Sequence, residues 1–190
     1  MGHKFNQLKS RNDTMSNAIS LIGTFARQQT SDHLADDLEN DDLDLLGAGY
    51  DTGSVSHIVG SLYIGDLTAA EAWNAEFSCV INCQHRDYTC SADLFKLEVP
   101  RYRGSQREFI RFGDNLSRLF LFLQQYDPED DKILVHCRAG KHRAPAVAAL
   151  IMHHMLGYDM SAAKRFISES RPIVEFWRVD YLLNGSRFRV

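Results

Sequence analysis

Two side chains in this 190-residue sequence stand at a spacing suited to chemistry on an oxyanion: Cys137, and Arg143 six residues later. A cysteine and an arginine so spaced occur together often by chance, but their setting is unusual. The apolar run Ile133-Leu134-Val135 leads straight in, and His136 precedes the cysteine. Gly140 sits mid-loop, where backbone must approach a ligand closely. Pro145 falls in the first turn of the helix that follows, where its missing N–H costs nothing.

A strand, a loop and a helix in this order turn successive backbone N–H groups into one concavity, and the helix N-terminus adds positive potential. Both effects stabilise a thiolate on Cys137, and both hold a tetrahedral oxyanion. The planar fork of Arg143 suits two-point contact with phosphate oxygens. The predicted chemistry is phosphoryl transfer to the Cys137 sulfur, followed by hydrolysis of the phosphocysteine.

The elements that must position this loop are legible from periodicity. Residues 55–64 read as strand, with a turn at Gly60-Ser61, and Thr68 to Glu71 reads as a capping box opening a helix that runs to Phe77. Residues 78–82, 94–99 and 132–135 are short apolar runs of strand type. Apolar residues at helical spacing predict helices over 108–126 and 144–156, then over 161–170 capped by Ser161, and last over 176–183. Strands alternating with helices indicate an α/β architecture, a central sheet flanked by helices.

Composition agrees with one domain plus an extension. The chain is 44% apolar, enough for a core and too much for disorder throughout. No apolar run reaches the ~18–20 residues of a membrane span. Asn6, Gln7, Lys9 and Ser10 break any secretory pattern at the start, and four cysteines make no disulfide framework, so the expected location is intracellular, cytoplasmic or nuclear. Residues 1–53 hold four basic and nine acidic side chains, a net of −5, which leaves +1 for the rest within the total of −4. This acidic N-terminal extension is expected to be mostly irregular or loosely packed, with weak helical patches over 16–29 and 33–46 and the domain over 54–190. It reads as solvated tail, as a docking segment for a protein partner, or as an electrostatic mask. Gly2 raises N-myristoylation, against which Asn6 stands where Ser or Thr is usual.

The segment HCRAGKHR, residues 136–143, resembles the His-Cys-x5-Arg signature of the protein tyrosine phosphatase superfamily, in its dual-specificity branch. The likeness extends to residues 57–72, similar to that branch's opening strands and helix. It includes residues 79–83 (CVINC), and Ser170-Arg171-Pro172-Ile173 before the last helix. The resemblance implies that Cys137 is the nucleophile and Arg143 the phosphate-binding arginine, with His136 orienting and tuning the thiolate. It implies that Arg138, Ala139, Gly140, Lys141 and His142 line the phosphate with loop amides. It also implies a phosphorylated protein substrate, no cofactor and no metal.

The sequence departs from the family pattern in two places. Ala144 replaces the usual Ser or Thr, whose hydroxyl stabilises the thiolate leaving the phosphocysteine, so the second step is expected to be slow. The Arg-Ala-Pro run is similar to that of the slow phosphatases of regenerating liver. The usual general-acid Asp, about thirty residues before the cysteine, is missing from residues 99–107; the nearest acids are Glu98, Glu108 and Asp114. Asp114 is the candidate acid, only 23 residues before Cys137. General acid catalysis is typically worth about 10²–10⁴-fold, so good leaving groups would suffer least without it. Arg101, Arg103, Arg107 and Arg111 fall in the same stretch, and Lys141 adds a cation in the loop. These cations either favour a polyanionic substrate (a phosphoinositide or an RNA 5′ end) or form a solvated face.

Cys79, Cys83, His85 and Cys90 match no standard pair of zinc hooks. By the family resemblance Cys83 ends a strand beside the one leading to Cys137, which makes it a candidate redox partner of the nucleophile. His153 and His154 read as packing on an apolar helix, and Trp73 and Trp177 as core aromatics. Two rival readings remain: a catalytically impaired phospho-binding module, and a rhodanese-like sulfur transferase, against which Arg143 argues.

Overall fold

The computed structural model describes residues 53–84, 87–100, 104–127 and 129–183, with only the backbone of Arg178 and Leu183. The readings made for residues 1–52, including Gly2 and both helical patches, lie outside the described residues, as do those for His85, Arg101 and Arg103.

Five strands form one mixed sheet: β1 (Val55–Val59), β2 (Leu62–Gly65), β3 (Cys79–Asn82), β4 (Asp93–Lys96) and β5 (Ile133–His136), in the order β1-β2-β5-β3-β4. The β1–β2 pair is an antiparallel hairpin, and every other pairing is parallel. The hairpin turns at Gly60, whose φ of +53° only glycine adopts without strain. The chain crosses from β2 to β3 through α1 (Leu67–Trp73), and from β4 to β5 through α2 (Gln106–Leu123). The first crossover steps over the place that β5 fills last, and the second returns over β3 to fill it. The strand order therefore reverses at β5, and in parallel α/β sheets that is where a crevice opens beyond the strand ends.

The period-two alternation of β5 divides the core. Ile133 and Val135 enter the larger cluster with Leu116, Leu119 and Phe120 of α2, Val147 and Ile151 of α3 (Arg143–Leu156), and Ala163 and Ile167 of α4 (Met160–Ser170). Leu134 points the other way, against Val80, Phe77 and Ala70 of α1. All four residues of β5 are buried. Burying an aliphatic side chain contributes about 1.5–3 kcal/mol, so the strand that carries the loop is among the best-anchored parts of the sheet.

Helix ends differ from the sequence expectation where a carboxylate is at hand. The helix α1 is capped by Asp66, not Thr68: Asp66 Oδ1 accepts from Ala69 N at 2.7 Å, and Oδ2 accepts from Gly53 N and Ser54 N. One carboxylate thus accepts three backbone N–H groups, from the helix and from the segment entering β1, one more than the two lone pairs of a hydroxyl could take. The helix α2 starts at Gln106, not Glu108, because Ser105 and Glu108 form a reciprocal capping box. The helix α4 is capped by Asp159 instead of Ser161. The last predicted helix is two pieces, a 3-10 turn at Phe176–Arg178 and α5 (Asp180–Leu183). Trp73 and Trp177 are not core residues: they are 49% and 68% exposed. On α1 the buried positions belong to Ala69 and Ala70.

Candidate active site

Cys137 follows β5 directly and is buried. Residues 138–142 form the loop, and Arg143 opens α3. No side chain caps this helix at its N-cap, His142.

The loop's carbonyls are held from outside, one after another. Leu67 N donates to the Arg138 carbonyl at 3.1 Å. Arg171 donates from Nη2 to the Ala139 carbonyl at 3.4 Å and from Nε to the Gly140 carbonyl at 2.9 Å. Glu175 N donates to the Lys141 carbonyl, and Ala146 N to that of His142, both at 3.1 Å. In a planar peptide unit the N–H points opposite the C=O. Four of these carbonyls are engaged by donors outside the loop and the fifth by the first bond of α3, so the N–H groups of residues 139–143 point away from those partners. Such an array can act as an anion cradle.

Arg171 is the keystone of that arrangement. It is buried, and its guanidinium also donates to Ser54 Oγ at 3.0 Å and Ser56 Oγ at 3.1 Å. Burial pulls its pKa below the ordinary arginine value, while the Asp66 and Cys137 charges act to keep it protonated. Gly140 has φ +63°, and a Cβ there would lie 2.6 Å from Arg171 Nη2 and 2.7 Å from the Gly65 carbonyl oxygen. Only glycine lets this loop close on its support.

His136 lies on the α1 side of the sheet, fully buried, with Nε2 at 2.8 Å from the Tyr88 hydroxyl. Burial pushes its pKa down to about 4, so the imidazole is neutral at physiological pH. Burial likewise raises the pKa of Tyr88. Cys83 continues β3 one residue past the Asn82–His136 register pair, and its N–H donates to the His136 carbonyl at 2.8 Å. That sets it opposite Cys137, and both side chains enter the larger core cluster. Burial, with the neighbouring Cys137, raises the Cys83 pKa well above its ordinary value, and Arg143 opposes the rise. Cys83, Cys137 and Arg143 thus share one end of the sheet.

The other predicted residues are placed differently. Lys141 Nζ pairs with Glu175 Oε1 at 2.5 Å. His142 Nε2 is 3.3 Å from the other oxygen of the same carboxylate. Asp114 stands on the exposed side of α2, and among the described residues it has no hydrogen bond or ion pair to the loop. The two other nearby acids hold structure: Glu108 completes the α2 cap, and Glu98 pairs with Arg111 at 3.9 Å. Cys79 is a core thiol whose pKa burial raises to about 12. His154 packs on Phe120, and His153 bonds the Tyr158 carbonyl.

Sequence reasoning assigned no role to Arg171, Tyr88, Asp66 or Glu175. Arg171 was visible as part of the Arg-Pro-Ile motif. Asp66 carries a local capping signal through Ala69, but its bonds to Gly53 and Ser54, and the partners of Tyr88 and Glu175, lie 12 to 48 residues away and leave no trace in spacing.

No family model matches the chain. Among curated proteins it is similar to the dual specificity protein phosphatase OPG106 of Vaccinia virus (strain Copenhagen). The two are 25% identical over 137 residues, 70% of this chain and 72% of that one. It is also similar to the protein-tyrosine-phosphatase IBR5 of Arabidopsis thaliana, 29% identical over 72 residues, of which the match spans about a quarter (26%). Among solved structures it resembles human DUSP28, with a TM-score of 0.59 and 16% identity over 74% of this chain and 97% of that one. A mouse putative dual specificity phosphatase complexed with zinc tungstate gives 0.56 and 18%, over 75% and 92%. The chain has the fold of the dual-specificity phosphatases, and its curated relatives are phosphatases of that kind and of the wider tyrosine-phosphatase group.

Proposed function

We propose that this protein is a cysteine-dependent phosphatase of the dual-specificity type that hydrolyses phosphate monoesters of proteins, and that it is slow. The observation that carries the reading is the loop 138–142 with its carbonyls tied outward, Cys137 at its floor and Arg143 at its end. The curated relatives, themselves named as phosphatases, support it.

In the first step the Cys137 thiolate attacks phosphorus. The P–S bond forms as the bond to the leaving oxygen breaks, and the oxygen departs with the bonding pair. The inward N–H groups and the Arg143 guanidinium balance the charge on the three equatorial oxygens. In the second step water attacks phosphorus, the P–S bond breaks, and inorganic phosphate leaves with the thiolate restored. The helix N-terminus favours that thiolate. Ala144, fully buried, offers it no hydroxyl, so the second step limits turnover. Asp114 on the outer side of α2 is poorly sited as an acid, so aryl esters, whose leaving groups need little protonation, react fastest. Cys83 serves as resolving thiol, forming a disulfide with Cys137 when a peroxide has oxidised it.

The test is phosphate release from an aryl phosphate by wild type and by Cys137→Ser, followed from the first turnover. A burst equal to the enzyme concentration, then a slow steady state, both absent in Cys137→Ser, is expected. Phosphate release that does not depend on Cys137, or none at all, overturns the reading in favour of a phospho-binding module.

A further inference from the structure

Lys141 and His142, the last two residues before Arg143, both lean on one carboxylate. Lys141 Nζ reaches Glu175 Oε1 at 2.5 Å, and His142 Nε2 lies 3.3 Å from Glu175 Oε2. The backbone closes the same unit, since Glu175 N donates to the Lys141 carbonyl at 3.1 Å. The Lys141 side chain is only 14% exposed, so its ammonium lies against the domain instead of reaching into solvent. Lys141 foremost, and then His142, hold the Glu175 carboxyl below the usual carboxylate range. The carboxylate is therefore ionised at neutral pH. It cancels the loop's extra cation at the rim, while the cradle of peptide N–H groups and Arg143 keeps its own positive potential.

We propose that Glu175 is a specificity-determining residue: by occupying Lys141 and His142 it confines the site to a single phosphate and disfavours a second anionic group beside it. The inference rests on the phosphatase reading and names its substrate class, singly phosphorylated protein segments. A free lysine at the rim would attract a neighbouring phosphate. Here a second phosphate meets a cation already paired, and a carboxylate of its own sign. The same pairing argues against a polyanion as the preferred substrate, because Lys141 was the loop cation that suggested one.

The test uses Cys137→Ser protein, in which binding is read without turnover, and two synthetic peptides. One carries a single phosphotyrosine; the other adds a phosphothreonine two residues away. The substitution Glu175→Gln keeps the shape of the side chain and removes its charge. It is expected to raise affinity for the doubly phosphorylated peptide relative to the singly phosphorylated one by about fivefold at low ionic strength. The gain should shrink at high salt. The part carried by the freed ammonium should be lost in Lys141→Met/Glu175→Gln, leaving a gain less than half as large.

Equal changes for both peptides, a gain indifferent to salt, or a full gain without Lys141 overturns the proposal. So does failure of the singly phosphorylated peptide to bind. The phosphatase reading is judged separately, by Cys137-dependent turnover of an aryl phosphate, so an active enzyme with an unmoved peptide ratio condemns the inference alone.

Discussion

The Arg171 guanidinium donates from Nε to the Gly140 carbonyl at 2.9 Å, across 31 residues of chain. A buried arginine behind the sheet end thereby decides which way the loop's peptide planes face. Arg171→Ala leaves two loop carbonyls and two serine hydroxyls without their donor. A loss of about 2–5 kcal/mol of stability is expected by denaturant titration. Arg171→Lys keeps the charge without the fork, and should fold with KM for an aryl phosphate raised and kcat lowered together. Unchanged kinetics in the lysine variant would show that the loop holds its shape without Arg171.

Gly140→Ala tests the other half of that contact. The new methyl would fall within 2.7 Å of the Gly65 backbone oxygen, in a backbone conformation that disfavours side chains. Strain of this kind costs about 1–3 kcal/mol. The melting temperature should drop and Cys137-dependent turnover should fall more than about tenfold, in excess of any loss of folded protein.

Ala144→Ser restores a hydroxyl beside the nucleophile. A hydrogen bond to a charged group contributes about 1.5–3 kcal/mol, so the steady-state rate should rise roughly tenfold or more while the burst keeps its amplitude. A steady-state rate that does not move would locate the slow step before phosphocysteine hydrolysis. Position 144 is fully buried, so thermal melting accompanies the kinetics.

Acid should weaken the fold before most carboxylates titrate. Burial lowers the His136 pKa from 6.5 to about 4, and that of His154 likewise. Between those values the unfolded chain takes up protons that the folded chain refuses. Stability is then complete above about pH 6.5 and lost as pH falls toward 4, on the order of 3 kcal/mol from His136 alone. Urea midpoints measured across that window should decline steadily, and His154→Gln should flatten part of the decline. A flat profile would mean that His136 is protonated in the fold.

Cys83 and Cys137 each follow the last residue of adjacent parallel strands, one step past the Asn82–His136 pair, and neighbouring strands lie about 4.8 Å apart, a spacing that suits a disulfide. Mild peroxide should yield an 83–137 bridge by peptide mass mapping, with activity restored by a thiol reductant. Sulfinic Cys137 with no bridge would remove Cys83 from that role, and Cys83→Ser should make inactivation irreversible.

The strands and helices were legible because their signals are local. The alternation in β5, the helical stripe of α2 and the loop from Cys137 to Arg143 each lie within one short stretch of chain. Helix starts were read less well, since Ser161 and Thr68 look like caps until Asp159 and Asp66 compete with stronger, ionised acceptors. The two tryptophans mislead for a related reason: large apolar side chains suggest a core, but burial belongs to the packed face and not to the residue type.

The candidate nucleophile and its arginine, the α/β order of elements and the alanine at position 144 are all matters of single positions or short spacings, and the sequence alone is enough to point to them. The direction of the loop's amides, the neutral state of His136 beneath Tyr88 and the capture of Lys141 by Glu175 depend on residues 31 to 48 positions apart. Only tertiary structure decides these. Hydrogen bonds, desolvation and charge pairing act over a few ångströms of space, and no local pattern in a chain records which distant segments fold to within that reach.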